Sequence, residues 1–168
     1  MASSASGYTL DSLAREFARV LGTDAGPAGR TRVAQLLSSV LAQPAFVREL
    51  FARPAGERRI AYEDPSLGFC ILVHEYDLVR EGKPHDHGPS WAIYGQAEGE
   101  SVMNEYERVD GSPGKVRKVR SHTMRPGDAR VYNEGDVHAV THTGPSRLIR
   151  VEGQDLAKVR RGTYEVVS

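Results

Sequence analysis

From Arg58 to its end the chain is cut into short β-prone runs by turns rich in glycine, proline and aspartate. Arg58–Tyr62, Phe69–Tyr76, Trp91–Ala97, Val102–Val109, Lys115–Met124, Ala129–Tyr132, Val137–Thr143, Arg147–Glu152 and Tyr164–Val167 each read as a strand. Asp110-Gly111-Ser112-Pro113-Gly114 is a hairpin turn between two of them, and Arg125-Pro126-Gly127-Asp128 is a second tight turn. Many short strands separated by turns predict a sandwich or barrel. The 17 glycines and 9 prolines of the chain are the punctuation that such a fold needs.

The first third has a different period. Thr9 is placed to cap a helix whose apolar stripe is Leu10, Leu13, Phe17, Val20 and Leu21, and Gly22 is placed to stop it. Thr23 to Arg30, with two glycines and a proline, reads as a loop. Thr31 then caps a second helix with Val33, Leu36, Leu37, Val40 and Leu41 on its buried side. Pro44 opens a short third helix carrying Phe46, Leu50 and Phe51, and Pro54-Ala55-Gly56 closes the helical part. Residues 1–7 read as disordered. The expected organisation is a helical segment, 1–57, packed on a β-barrel, 58–168, as one structural domain.

Lys and Arg together number 22, as do Asp and Glu, so the formal net charge is zero. That balance speaks against nucleic acid or an anionic membrane as partner, since both attract a basic excess. No apolar run approaches membrane-spanning length. The N-terminus has neither the basic start nor the apolar stretch of a signal peptide, which makes the cytoplasm the expected location. A single cysteine, Cys70, leaves no disulfide framework.

The chemistry concentrates in Gly82-Lys83-Pro84-His85-Asp86-His87-Gly88-Pro89-Ser90-Trp91. Residues two apart on an extended strand share a face, so His85 and His87 project together. Pro84 fixes the backbone before them and Gly88-Pro89 breaks the strand after. Two adjacent imidazoles form half of a transition-metal site. A third is available at His138, in Asn133-Glu134-Gly135-Asp136-Val137-His138-Ala139-Val140, where a turn leads into a strand.

This pattern resembles the cupin superfamily, whose double-stranded β-helix (jelly-roll) barrels carry Gly, then His-x-His, then a later Gly, and further on Pro-x-Gly followed by a His. Gly82, His85, His87 and Gly99 match the first motif. His138 matches the second, with Pro126-Gly127-Asp128 further upstream than is usual. Most cupins add a glutamate four to six residues after the pair; here those positions are Trp91, Ala92 and Ile93. Within the superfamily the segment from Pro84 to Trp91 is similar to that of the cysteine-dioxygenase-like group. Three neutral imidazoles leave the full 2+ charge on a metal, which favours an anionic, chelating substrate. Two family features are missing. The position of a cross-linked cysteine is Ala92, and the late Ser-x-His-x-Tyr stretch is replaced by Val151-Glu152-Gly153-Gln154-Asp155.

The resemblance implies an arginine upstream of the pair that holds a substrate carboxylate, and Arg58 or Arg59 stands in a comparable place. Only one of the two can point inward, because neighbours alternate, and Tyr62 would accompany Arg58. His142 shares a strand face with His138 and is a candidate second partner or acid/base. His74, His122, Cys70, Trp91 and Tyr94 read as structural. The implied activity is that of a mononuclear non-haem iron dioxygenase acting with O2 on a small anionic thiol. The metal would be iron(II) held by His85, His87 and His138, with zinc, nickel or manganese as alternatives. The rival readings are a three-histidine cupin that cleaves a diketone-like substrate and a non-catalytic metal- or small-molecule-binding cupin. A monomer or homodimer is expected.

Overall fold

The computed structural model describes residues 7–168. The stretch read as disordered lies, for residues 1–6, outside the described residues. Helix α1 spans Leu10–Thr23 and starts on a reciprocal cap: Ser12 N donates to Thr9 Oγ1 at 3.1 Å, and Thr9 N donates to Ser12 Oγ at 2.9 Å. It runs one residue past Gly22, the residue expected to stop it. Helix α2 spans Pro27–Leu41 and begins inside the stretch expected to be a loop. Proline lacks the N–H that the first helical turn leaves unpaired, so Pro27 opens the helix that Thr31 was expected to cap. Thr31 instead sits within it and donates to the Pro27 carbonyl at 3.0 Å. Helix α3 spans Pro44–Leu50.

Ten strands follow: β1 (Arg59–Glu63), β2 (Cys70–Tyr76), β3 (Arg80–Glu81), β4 (Ala92–Glu98), β5 (Ser101–Arg108), β6 (Lys115–Met124), β7 (Ala129–Tyr132), β8 (Val137–His142), β9 (Ser146–Glu152) and β10 (Glu165–Val166). They form two five-stranded sheets, in the orders β1-β2-β9-β4-β7 and β10-β6-β5-β8-β3. All pairings are antiparallel except that of β10 with β6. The mainly β barrel with helices at its N-terminal side is thus the architecture observed. No helix among the described residues is long and apolar enough to cross a membrane.

Alternation along the first sheet sorts its residues into two cores. Phe69, Ile71, Val73, Ile93, Ile149 and Val151 pack with Leu13, Phe17, Val33, Leu37 and Val40 of the helices. Ala92, Tyr94 and Leu148 face inward and meet Met103, Met124, Tyr132 and Val140. The helices therefore seal one face of the sheet, and the other lines the barrel. Gly95 of β4 lies where an added Cβ would stand 2.8 Å from both Leu37 Cδ2 and Leu41 Cδ1, so α2 seats directly on the strand.

Candidate metal centre

His138 lies on β8, paired with β5 through Glu105. His85 lies in no regular strand, contrary to the extended strand expected there; it anneals to β8 by one reciprocal pair. His85 N donates to the His138 carbonyl and His138 N to the His85 carbonyl, both at 3.0 Å. Directly opposed residues project their side chains to the same side, which is how two distant histidines meet. Two glycines permit this approach. A Cβ on Gly82 would come within 2.7 Å of the Val140 carbonyl oxygen, and Gly82 N instead donates to that oxygen at 2.8 Å. Gly88 holds φ +59°, and a Cβ there would lie 2.4 Å from the Arg160 carbonyl oxygen.

Asp86, between the two histidines, faces away from them and braces the loop. Its carboxylate accepts from Gly88 N at 2.9 Å, Gly162 N at 2.8 Å and Tyr164 Oη at 2.5 Å. Burial alone would raise its pKa, but these bonds and Arg108 hold it below the ordinary value. The segment after β9 is thereby strapped across the histidine loop. From the helical side, Arg30 reaches Asn133 Oδ1 at 2.9 Å and Glu134 Oε1 at 2.7 Å, fixing the turn that feeds β8.

His85, His87 and His138 each offer one ring nitrogen, and these lie within 4.8 Å of one another. His87 and His138 are fully buried and His85 is half-buried. His85 Nδ1 stands 2.9 Å from the Lys83 carbonyl, which only accepts, so its proton is on Nδ1 and Nε2 keeps its lone pair. That Nε2 is buried and has no partner. The Nε2 atoms of His87 and His138 are 3.2 Å apart. Nitrogens on adjacent positions of one metal, at about 2.0–2.1 Å from it, stand about 2.9–3.4 Å apart. The His87–His138 pair fits adjacent positions on one transition metal, and the unpartnered Nε2 of His85, within 4.8 Å of both, is placed to be the third ligand. Burial is the largest cause of lowered pKa at all three, to about 3 at His87 and well below the ordinary value at His138. Arg150 and Arg161 add to the effect at each. Neutral imidazole is the form that binds metal.

Aromatic rings enclose the cluster. Tyr132 stacks on His138 with centroids 3.8 Å apart, and Tyr94 Oη stands 3.3 Å from His87 Nε2. Tyr94 is tied in turn to Arg150, whose Nη1 donates to its hydroxyl at 3.4 Å. Arg150 pairs with Glu152, which is fully buried and also accepts from Arg58 Nη2 at 3.2 Å and Leu156 N at 2.9 Å.

A cavity of about 140 Å³ opens beside His85. Arg80, Arg150 and Arg161 line it together with His74, Tyr76, Tyr94 and His142, and no carboxylate does. His142 sits with Nδ1 at 3.1 Å from Ser101 Oγ and 3.2 Å from Ser146 Oγ, and it stacks on Tyr76. The other residues singled out from sequence lie elsewhere. Arg58 pairs with Asp155 at 2.6 Å besides Glu152, Arg59 donates to the Leu50 carbonyl at 3.0 Å, and Tyr62 donates to Asp64 at 3.2 Å. Sequence reasoning missed Arg150 and Arg161 and took Tyr94 for core. The spacing of Arg150 and Glu152, two apart on a strand between apolar residues, was the available signal.

No protein-family model matches the chain, and no curated protein does. Among solved structures it is similar to KdgF from a Halomonas species, with 21% identity over 56% of this chain and 76% of that one and a TM-score of 0.45. An oxalate oxidase solved with the substrate analogue glycolate shows 18% identity over 61% of this chain and 53% of that one, with a TM-score of 0.45. A cupin superfamily protein from Desulfitobacterium hafniense shows 11% identity over 58% of this chain and 76% of that one, also with a TM-score of 0.45.

Proposed function

We propose that this protein is a mononuclear metal-dependent dioxygenase of the cysteine-dioxygenase-like type, with iron(II) held by His85, His87 and His138 and a small anionic thiol as substrate. One observation carries the reading: a carboxylate-free cluster of three imidazoles stands beside a cavity lined by three arginines and no acidic residue. Iron bound there supplies the redox chemistry with O2. The overall change is RS⁻ + O2 → RSO2⁻, in which sulfur gives up four electrons, both oxygen atoms end on sulfur, and no outside reductant is needed.

The chain's own residues bind and orient. Arg161, at the exposed side of the cavity, attracts the anion; Arg80 stands beside it paired with Glu57, and Arg150, held by Glu152 and Tyr94, offers oriented N–H donors deeper in. Burial keeps the Tyr94 phenol protonated, so it can donate beside His87. Val140 and Leu148 supply the apolar part of the lining. A diketone-cleaving reading needs no such ring of cations, and the arginines weigh against it. The small volume suits a substrate well below the about 300–1,000 Å³ of drug-sized pockets.

The test is oxygen consumption by iron-loaded protein with a panel of small thiols and diketones. Uptake with an anionic thiol, with iron and not with zinc, is the expected result. Uptake only with diketones, or none with any thiol, would refute the proposal.

A further inference from the structure

β2 turns Leu72, His74 and Tyr76 toward the barrel interior, and His74 lines the cavity described above. It is 4% exposed. Its Nδ1 stands 2.6 Å from the backbone oxygen of Glu57. A carbonyl oxygen only accepts, so the proton is on Nδ1 and Nε2 carries a lone pair. The Tyr76 hydroxyl, at 3.4 Å, also lies on the Nδ1 side. Nε2 is buried and has no partner. Burial, then the charge of Arg150, lowers the His74 pKa to about 3, which keeps the ring neutral and Nε2 an acceptor. Folded proteins seldom leave such an atom unpaired without a use for it.

The neighbouring strand supplies the complement. His74 faces Leu148 and Leu72 faces Arg150, so His74 and Arg150 are diagonal neighbours, about 7–8 Å apart at the backbone. Arg150 Nε is buried and without a partner as well. Two residues of one wall thus carry an unpartnered cationic N–H and an unpartnered neutral acceptor. A ligand that matches both carries an anionic group and, a few atoms away, a hydrogen-bond donor. Arg80 is paired with Glu57 and Arg150 with Glu152, which leaves Arg161 as the cation an ammonium donor would meet, and the ammonium would also lose its hydration; a hydroxyl meets the same acceptor without either cost. His142 is not a competing acceptor of the same kind, since two serine hydroxyls already engage its Nδ1.

We infer that His74 sets specificity in this cavity, its Nε2 accepting a hydrogen bond from a hydroxyl on the bound anion. The inference rests on the cavity being the substrate site, as proposed above, and narrows the substrate to a small hydroxylated anion.

Calorimetric titration of the protein, supplied with one equivalent of zinc, compares three carboxylates of like size: 3-hydroxypropionate, propionate and β-alanine. The hydroxy acid is expected to bind about fivefold to tenfold tighter than propionate, with β-alanine weakest. His74→Leu should bring the hydroxy acid to the affinity of propionate while zinc content stays unchanged. Chelation of zinc by the hydroxyl would leave the preference intact in His74→Leu, and that result overturns the inference, as does a wild type with no preference. If His74→Leu does not fold, nitrogen-15 NMR of the wild-type imidazoles decides: the His74 Nε2 resonance should move with 3-hydroxypropionate and not with propionate, and an unmoved resonance is fatal. Zinc content keeps the two readings apart. Protein that takes up no zinc yet prefers the hydroxy acid retains the role of His74 and loses the metal centre; zinc-loaded protein without the preference does the reverse.

Discussion

On β2, β4 and β9 successive residues belong to two different environments. Toward the helices stand Ile71, Val73, Ile93, Ile149 and Val151. Toward the barrel stand His74, Tyr94, Arg150 and Glu152, all of them buried or nearly so. Both faces are largely buried, yet one is held by apolar packing and the other by paired charges and oriented rings. Burying a charge is unfavourable unless it is paired, so the inner face contributes less stability than the outer one for the same area. What it gains is a set of fixed dipoles and cations around the histidine cluster. The difference shows that apolar packing and paired polar groups are assigned to opposite sides of one sheet, by a two-residue period.

The largest effect expected on this comparison comes from breaking the inner pair. Glu152→Ala leaves Arg150 buried without its partner and strips acceptors from Arg58 and Leu156 N, so unfolding in denaturant should become easier by about 3–5 kcal/mol. A loss below 1 kcal/mol would mean that this face is wet. On the outer face, Ile149→Ala should cost about 2–5 kcal/mol through cavity formation. Metal content per folded chain should not change in that variant, and a fall would show that the two faces are not separable.

Arg161→Ala should weaken binding of a small carboxylate or thiol acid about tenfold, or 1.4 kcal/mol. Its unfolding free energy should stay within about 0.5 kcal/mol of wild type, because the residue is exposed. Equal affinities for both proteins would remove Arg161 from the substrate site.

The smallest effect is one of pH. Burial lowers the pKa of His74 to about 3 and of His142 to about 4, against about 6.5 in the unfolded chain. Between these values the unfolded state binds more protons. Stability is therefore full above about pH 6.5 and falls as the pH is lowered toward about 4, by about 0.7 kcal/mol per histidine between pH 7 and pH 6. Denaturant midpoints of wild type and His142→Gln at the two pH values check this. An identical pH dependence in both would show that His142 is not held neutral by the fold.

Much of this molecule is legible in its sequence. Turn chemistry marks the strands: Lys115–Met124 and Ala129–Tyr132 coincide with the observed β6 and β7. The two-residue β3 is too short to carry a period, and the start of α2 was hidden because Gly26-Pro27 reads as a break when it is in fact a cap. The histidine cluster was visible since two members are local and the third follows a turn. The inner wall was not. Arg150 and Glu152 alternate with Ile149 and Val151 as they would on a half-solvated strand, and only the second sheet, closing over them, makes that face an interior. For the same reason Arg58 and Arg59 looked equivalent from the sequence, whereas one is tied to Glu152 and Asp155 and the other to the end of α3.

X-ray absorption spectroscopy of the metal-bound protein tests the assignment of the inner face most directly. The geometry of His85, His87 and His138 predicts one metal per chain with three imidazole nitrogens at about 2.0–2.2 Å, and loss of the bound metal in His138→Ala. A coordination sphere without imidazole scattering, or full metal content in His138→Ala, would contradict it.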